Sequence, residues 1–369
     1  MKEGRRSFVK KVALGSLFLP FGLRANLGLA EIPKEKKLRV ALVGLGRYAT
    51  RLAEGIAISQ HCEVAGIVTG TPSKIPIWRE KYDIPEDCVY NYENFDEIAN
   101  NKAIDVVYVV LPNGMHKEYA IRAARAGKHV IVEKPMAVTA PECEEIIAAC
   151  DKARVQLAVG YRLHFEPYNM EMMRLGREKV YGEVRHVEAA LGYNTSNIDL
   201  SDWHLNAKLS GGGCLQNLGV YCIQGARYVT GEEPVSVTAQ FGPKIYKNIF
   251  KEVEESIHWQ IEFPSGATAT CSASSIAPMD RLLASAERGV FELSPAISYG
   301  PFVGKTRDGK FEFPMTHHQQ VQMDEMAKFL LNDKSFPDHI SGLEGLKDMK
   351  VIDAVYQAAK TGQRVEIAQ

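Results

Sequence analysis

The chain lacks an excess of either charge, any metal-binding pattern of cysteine or histidine, any internal repeat and, after its first residues, any low-complexity tract. Lys and Arg number 44 and Asp and Glu 45, leaving a formal charge of −1 that gives no electrostatic case for a nucleic-acid partner. The seven cysteines, Cys62, Cys88, Cys143, Cys150, Cys214, Cys222 and Cys271, show no Cys-x-x-Cys and no Cys/His ligand spacing. They read as small buried hydrophobes, and no metal is expected. An odd, unpatterned set is not the framework of a disulfide-dense secreted domain, and 369 residues are enough to do without one. No segment beyond the N-terminus is apolar enough to span a membrane. What remains is an ordinary globular composition, 46% hydrophobic and 24% charged, long enough for two domains with separate cores.

The N-terminus is the compositional exception. Arg5-Arg6-Ser7-Phe8-Val9-Lys10-Lys11 precedes an apolar run from Val12 to Leu23 and a small-residue site at Gly28-Leu29-Ala30. This reads as a twin-arginine export signal with a linker over residues 1–36, either cleaved near Ala30 or kept as a membrane tether, so the expected location is periplasmic or otherwise exported. The alternative, a basic start to a first helix, must contend with Pro20 and Gly22. Twin-arginine export moves folded proteins, which suits reduced thiols buried in the cytoplasm.

Residues 37–159 read as a doubly wound α/β domain. The apolar strand Val40-Ala41-Leu42-Val43 breaks into Gly44-Leu45-Gly46-Arg47-Tyr48-Ala49 and then a helix. Gly44 permits the bend, Gly46 lets backbone N–H groups approach a pyrophosphate, and Ala49 lets helix and strand pack closely. The helix start adds unpaired donors and a positive dipole end. A second strand, Glu63 to Val68, ends not in the carboxylate that holds the ribose of NAD but in Thr69-Gly70-Thr71-Pro72-Ser73-Lys74. Hydroxyls and a lysine suit the 2′-phosphate of NADP, with Arg47 a second candidate; alternatively Thr71 caps a helix that starts at Pro72 and Lys74 is solvated. Strand Ile104 to Val110 ends in Leu111-Pro112-Asn113, and strand Lys128 to Val132 ends in Glu133-Lys134-Pro135. Ligands lie outside the carboxyl ends of strands in such sheets, so Leu111, Asn113, His116, Glu133 and Lys134 belong on the cofactor edge. With Gln156 to Val159 five strands are marked, and the sheet is expected to hold six.

Residues 160–369 read as a second, α+β domain with a mostly antiparallel sheet. It opens on Gly160-Tyr161-Arg162-Leu163-His164-Phe165-Glu166-Pro167, polar and aromatic groups placed to face a nicotinamide, or else a plain linker. Strands are expected at Glu183 to Tyr193, Val235 to Phe241, Ser256 to Phe263, Ala267 to Ser274 and Gly289 to Leu293. A helix from Cys214 to Val229 puts Asn217, Tyr221 and Gln224 on one face. Tyr299 and the pair His317-His318 fall in later loops or helix starts; Tyr299 is a candidate for the pocket, and the histidines cap a helix equally well. Helices Gln319 to Leu331 and Leu343 to Thr361 read as core.

Taken in order, the glycine turn, Leu111-Pro112-Asn113, Glu133-Lys134-Pro135, Gly160-Tyr161-Arg162, Gly211-Gly212-Gly213 and Gly219-Val220-Tyr221 resemble the glucose-fructose oxidoreductase, inositol dehydrogenase and rhizopine-catabolism (GFO/IDH/MocA) family, most nearly its glucose-fructose oxidoreductases. The resemblance implies a tightly held NADP (or NAD), a sugar or polyol substrate, and a homodimer or homotetramer formed through the open sheet of the second domain. It implies Lys134 and Tyr221 as the catalytic pair, Lys134 orienting the hydroxyl and Tyr221, its phenol pKa lowered by Lys134, exchanging the proton. Arg162, His116, His204 and Asn217 would grip neighbouring hydroxyls, and Trp203 would border the cofactor. Two positions depart from the family pattern. Asn217 stands where an acid is usual, and an amide takes no proton at neutral pH; His204 stands where Trp-Arg is frequent. Three readings follow: a sugar oxidoreductase with its nicotinamide regenerated in place, a glycoside hydrolase or lyase using transient oxidation, or a non-catalytic sugar or cofactor sensor.

Overall fold

The structure is a computed structural model describing residues 36–368. The signal features at Arg5-Arg6, Val12 to Leu23 and Ala30 lie outside the described residues.

Six strands, β1 (Leu38–Val43), β2 (Cys62–Val68), β3 (Val89–Tyr90), β4 (Val106–Val109), β5 (His129–Val132) and β6 (Leu157–Val159), form a parallel sheet ordered β3-β2-β1-β4-β5-β6. Helices α1 (Arg47–Ala57), α2 (Ile75–Tyr82), α3 (Asn113–Arg125) and α4 (Ala140–Ala153) complete the alternation. β1 and β4 are buried along nearly every residue because helices cover both faces, which is why they read as unbroken apolar runs rather than alternating ones. The order reverses between β1 and β4, and the crevice beyond their carboxyl ends is where such sheets take ligands. At the start of α4, Thr139 Oγ accepts from the Glu142 backbone N–H at 3.4 Å and caps the helix. Phe95–Asn100 forms a 3-10 turn.

After α5 (Pro167–Arg177), strand β7 (Val184–Gly192) starts the second sheet. The short α6 (Ala207–Ser210) and α7 (Val220–Thr230) precede β8 (Ser236–Phe241), β9 (Ser256–Glu262), β10 (Thr268–Ser274), β11 (Met279–Ala286), β12 (Gly289–Leu293), β13 (Gly304–Thr306) and β14 (Gly309–Lys310). With β15 (Val365–Glu366) at the far edge, the nine strands run β14-β13-β12-β11-β7-β10-β9-β8-β15, all antiparallel except β7 beside β10. β9 alternates buried Ile257, Trp259 and Ile261 with exposed His258, Gln260 and Glu262, so one face meets helices and the other is open. Gly225 on α7 lies against Leu282 of β11, leaving 3.1 Å for a Cβ, which fixes how closely helix and sheet pack.

The last helices, α8 (His318–Leu330) and α9 (Gly342–Thr361), return to the first sheet. Gly55 on α1 has no room for a Cβ, with Gln319, Gln320 and His317 within 2.9 Å. Gly345 on α9 sits equally tightly on Met136 and Val159. Residues late in the chain therefore stand directly behind the crevice. All seven cysteines are buried and free. Among the described residues no helix is long and apolar enough to cross a membrane, and no cluster of His, Cys, Asp and Glu could hold a metal ion.

Candidate active site

A cleft of about 490 Å³ runs from the glycine turn to the start of α7. Its first wall is the turn itself. Gly44 has φ +90°, and a Cβ there would lie 2.8 Å from the Val110 carbonyl oxygen, so only glycine fits. Gly46, the residue before α1, has open space on its Cβ side, no side chain caps the helix, and no acid lies in the first turn. The N–H groups of that turn are left to face the cleft beside the lining residues Leu45, Arg47 and Tyr48. A pyrophosphate fits this cradle, with donors and dipole supplied and no side chain in the way.

Beyond the end of β2, Thr69 is buried and Lys74 donates to the Leu45 carbonyl at 2.8 Å, so its ammonium is fixed across the glycine turn rather than freely solvated. Thr71 precedes the turn Pro72–Lys74 without a side-chain capping bond, and its hydroxyl is free for a ligand. Gly70 is exposed and pressed on the Tyr92 ring, 2.7 Å from where its Cβ would be. Arg47 is held only loosely, 3.6 Å from Asp202 with its side chain 90% exposed.

The far end of the cleft gathers the chemistry. Lys134 Nζ donates to the Asn217 carbonyl at 2.9 Å and lies 4.5 Å from the Tyr221 ring centroid. Burial pulls the Lys134 ammonium down to about 8; Glu133 holds it up and Arg162 pulls it further down. Arg162, itself buried, bonds His318 Nδ1 at 2.8 Å and the Ile297 carbonyl, with its guanidinium 4.3 Å from the Tyr299 ring. Arg51 stacks on that ring too, at 3.7 Å. The loop carrying Ile297 and Tyr299 is pinned by Asp280, whose carboxylate accepts from the N–H groups of Ala296, Ile297 and Ser298 at 2.7, 2.7 and 2.9 Å. Trp203 and His204 stack on one another at 3.7 Å and line the mouth, and Asp202 accepts from His204 Nδ1 at 2.6 Å.

The structure thus brings Gly44, Leu45, Gly46, Arg47, Tyr48, Thr69, Lys74, Leu111, Asn113, His116, Glu133, Lys134, Arg162, Trp203, His204, Asn217, Tyr221 and Tyr299 to one cleft; Gly70 backs onto it through Tyr92. Four expectations need correction. The Tyr221 phenol is raised rather than lowered in pKa, because burial outweighs the cation beside it; the opposing pull comes from Arg162, not Lys134. His116 has both ring nitrogens against backbone carbonyls, Pro135 at 2.9 Å and Leu111 at 2.8 Å, and is 1% exposed. It braces the two strand-end loops and has no free nitrogen for a hydroxyl. Asn113, by contrast, stays on the cleft wall as expected while one amide N–H donates to the Ser210 carbonyl at 2.8 Å. Gln224 shares a small cavity with Tyr221 on α7 but donates to Asp348 at 2.7 Å and does not line the cleft, and the π-helical turn Leu215–Gly219 breaks the spacing expected between Asn217 and Tyr221. Of the stretch from Gly160 to Pro167, Arg162 reaches the cleft, whereas Glu166 caps α5 and His164 stacks on Tyr161. His317 does cap α8, accepting from the Gln320 N–H.

Sequence reading missed Tyr92, Leu191, Tyr193 and Ile297 on the walls. Leu191 and Tyr193 follow the sheet rule at the end of β7 and were findable; Tyr92 follows a two-residue strand that no apolar run marks.

Comparisons with known proteins agree with this geometry. Residues 38–161 match the oxidoreductase family, NAD-binding Rossmann fold, and residues 170–292 match the GFO/IDH/MocA C-terminal domain. The aldose-aldose oxidoreductase of Caulobacter crescentus, solved with glycerol, is 40% identical with a TM-score of 0.86, over 90% of this chain and 100% of that one. A D-xylose 1-dehydrogenase [NADP(+)] of Haloarcula marismortui is 26% identical over 90% of this chain and 94% of its own. The scyllo-inositol dehydrogenase of Lactobacillus casei shares the fold at 18% identity, TM-score 0.76, over 91% of this chain and 100% of that one. The chain belongs to the GFO/IDH/MocA family of NAD-binding oxidoreductases.

Proposed function

We propose that the protein is an NADP-dependent sugar oxidoreductase that keeps its nicotinamide bound and regenerates it with a second sugar. The observation that carries this reading is the meeting of Lys134, from the end of β5, and Tyr221, from the first turn of α7, at the end of a cleft that begins at an uncapped glycine turn. The absence of an acid after β2, with Thr69, Thr71 and Lys74 in its place, supports the phosphorylated nucleotide. When bound, the nicotinamide supplies the hydride chemistry. The chain's residues do the rest. Lys134, fixed by the Asn217 carbonyl, donates to the reacting hydroxyl and holds its oxygen; Tyr221 carries the proton, with Arg162 favouring its ionised form. Trp203, His204 and the Asn217 amide border the remaining space and are placed to select neighbouring hydroxyls. The aldose and xylose relatives support a sugar as substrate.

The export signal read from Arg5-Arg6 supports an activity outside the cytoplasm, where no free nicotinamide pool would replace a spent cofactor. A homo-oligomer joined through the open sheet face belongs to the same proposal. The test is to purify the protein, look for nicotinamide absorbance, and ask whether an aldose reduces it and a second sugar reoxidises it. Purification without nucleotide, together with stoichiometric use of free NAD(P), would contradict regeneration in place. Release of aglycone from a glycoside with no net change in nicotinamide would point to elimination instead.

A further inference from the structure

The buried face of α8 is apolar from Met323 onward, but its first turns bury His318, Gln319 and Gln322. Gln319 and Gln322 are 1% and 0% exposed, and neither touches the open part of the cleft. Gln322 Nε2 donates to Tyr108 Oη at 2.9 Å, and Tyr108 donates to Glu133 Oε1 at 2.7 Å. The direction follows from chemistry: an ionised carboxylate only accepts, so the one phenolic proton goes to Glu133 and the phenol oxygen is left to accept from the amide. Glu133 Oε2 accepts from the Lys134 backbone N–H at 3.2 Å. There is no slack, since a Cβ on Gly160 would stand 2.4 Å from both Glu133 Oε1 and Tyr108 Oη.

We propose that Gln322 and Tyr108 are positioning residues, a hydrogen-bonded chain from α8 through the first sheet that fixes the Glu133 carboxylate, in its charged form, beside Lys134. The proposal rests on the oxidoreductase reading only in giving Lys134 a task. A buried carboxylate tends to take a proton; burial raises Glu133, while Tyr108 and Lys134 oppose that rise. Were Glu133 neutral, Lys134 would keep its desolvation and the repulsion of Arg162 without the charge that offsets them, and its ammonium would be lost at lower pH. The other titratable groups facing this pair are Tyr48, Tyr221 and Tyr299, with His116 and His204 beyond them.

The experiment measures Lys134 directly. The rate of its acetylation by acetic anhydride is followed against pH by peptide mass spectrometry in the purified protein, Tyr108→Phe, Gln322→Leu and the double variant. The wild-type midpoint is expected near 8. Tyr108→Phe is expected to move it down by about one pH unit, because the carboxylate loses its charge-stabilising donor. Gln322→Leu should move it the same way by less, and adding it to Tyr108→Phe should change nothing further, since the amide acts through the phenol. Variants that melt like the wild type but leave the midpoint unmoved, or shifts that simply add, would overturn the chain. If Tyr108→Phe fails to fold, Gln322→Leu alone decides. Because sugar turnover is not read, a shifted midpoint in a protein inactive on sugars would count against the proposed function and leave this inference standing.

Discussion

The Lys134 ammonium lies 4.5 Å from the centroid of the Tyr221 ring, the first from the end of β5 and the second from the first turn of α7. A cation and a phenol so placed can hold and deprotonate one hydroxyl between them. Replacing Lys134 with Met, or Tyr221 with Phe, is expected to slow hydride transfer by ~10²–10⁴-fold in a protein that still folds. Single-turnover kinetics separate that loss from weaker sugar binding.

The pH dependence has a definite sign. Lys134 polarises the reacting hydroxyl through the charge of its ammonium, so turnover should fall as pH rises through about 8. Stability runs the other way. Because burial lowers the folded-state pKa from 10.5 to about 8, the unfolded chain binds more protons between those values, and stability should rise with pH across that window. Lys134→Met should flatten both trends, as read by pH-rate profiles and by melts at several pH values.

On the acid side His116 is the group to watch. Burial holds it neutral, its pKa lowered to about 4 from 6.5, so its contribution to stability is complete above 6.5 and is lost as pH falls toward 4. His116→Gln should weaken the acid destabilisation measured by chemical denaturation in that range.

The two turn glycines should fail differently. Gly44→Ala meets the Val110 carbonyl at 2.8 Å with φ at +90°, and is expected to cost ~1–3 kcal/mol of folding stability. Gly46→Ala meets nothing within 4 Å, so the fold should survive while a methyl group intrudes on the pyrophosphate space. Thermal melts and nucleotide titrations on the same two variants distinguish these outcomes.

Gly160→Ala should fail by overpacking alone. Its Cβ would stand 2.4 Å from Glu133 and Tyr108, within the buried chain behind the site, and overpacking there is expected to cost ~1–3 kcal/mol. The melting temperature measures it.

The parallel sheet was legible because β1, β2, β4 and β5 are buried on both faces and read as continuous apolar runs ending in glycine, asparagine and lysine motifs. β3 was not, since two residues carry no periodicity, and β11 was missed because its buried Leu282 and Ala284 lie among half-exposed Met279, Asp280, Arg281 and Leu283. α8 read as core from its Met and Leu spacing, and nothing in that spacing singles out Gln322. Its partner Tyr108 is 214 residues away in sequence, and only the fold joins them. The Tyr221 pKa was misjudged for the same reason: a neighbouring cation can be guessed from a motif, but the depth of burial cannot.

The central claim is hydride transfer between a sugar carbon and a nicotinamide held in this cleft. Incubating the purified protein with an aldose carrying deuterium on every carbon, then recovering the bound nucleotide for mass spectrometry, tests it most directly. One deuterium on the nicotinamide ring of a bound NADP, lost again when an unlabelled second sugar is added, is the predicted result. A bound nucleotide that stays unlabelled with every aldose tried, while Lys134 and Tyr221 are intact, would contradict it.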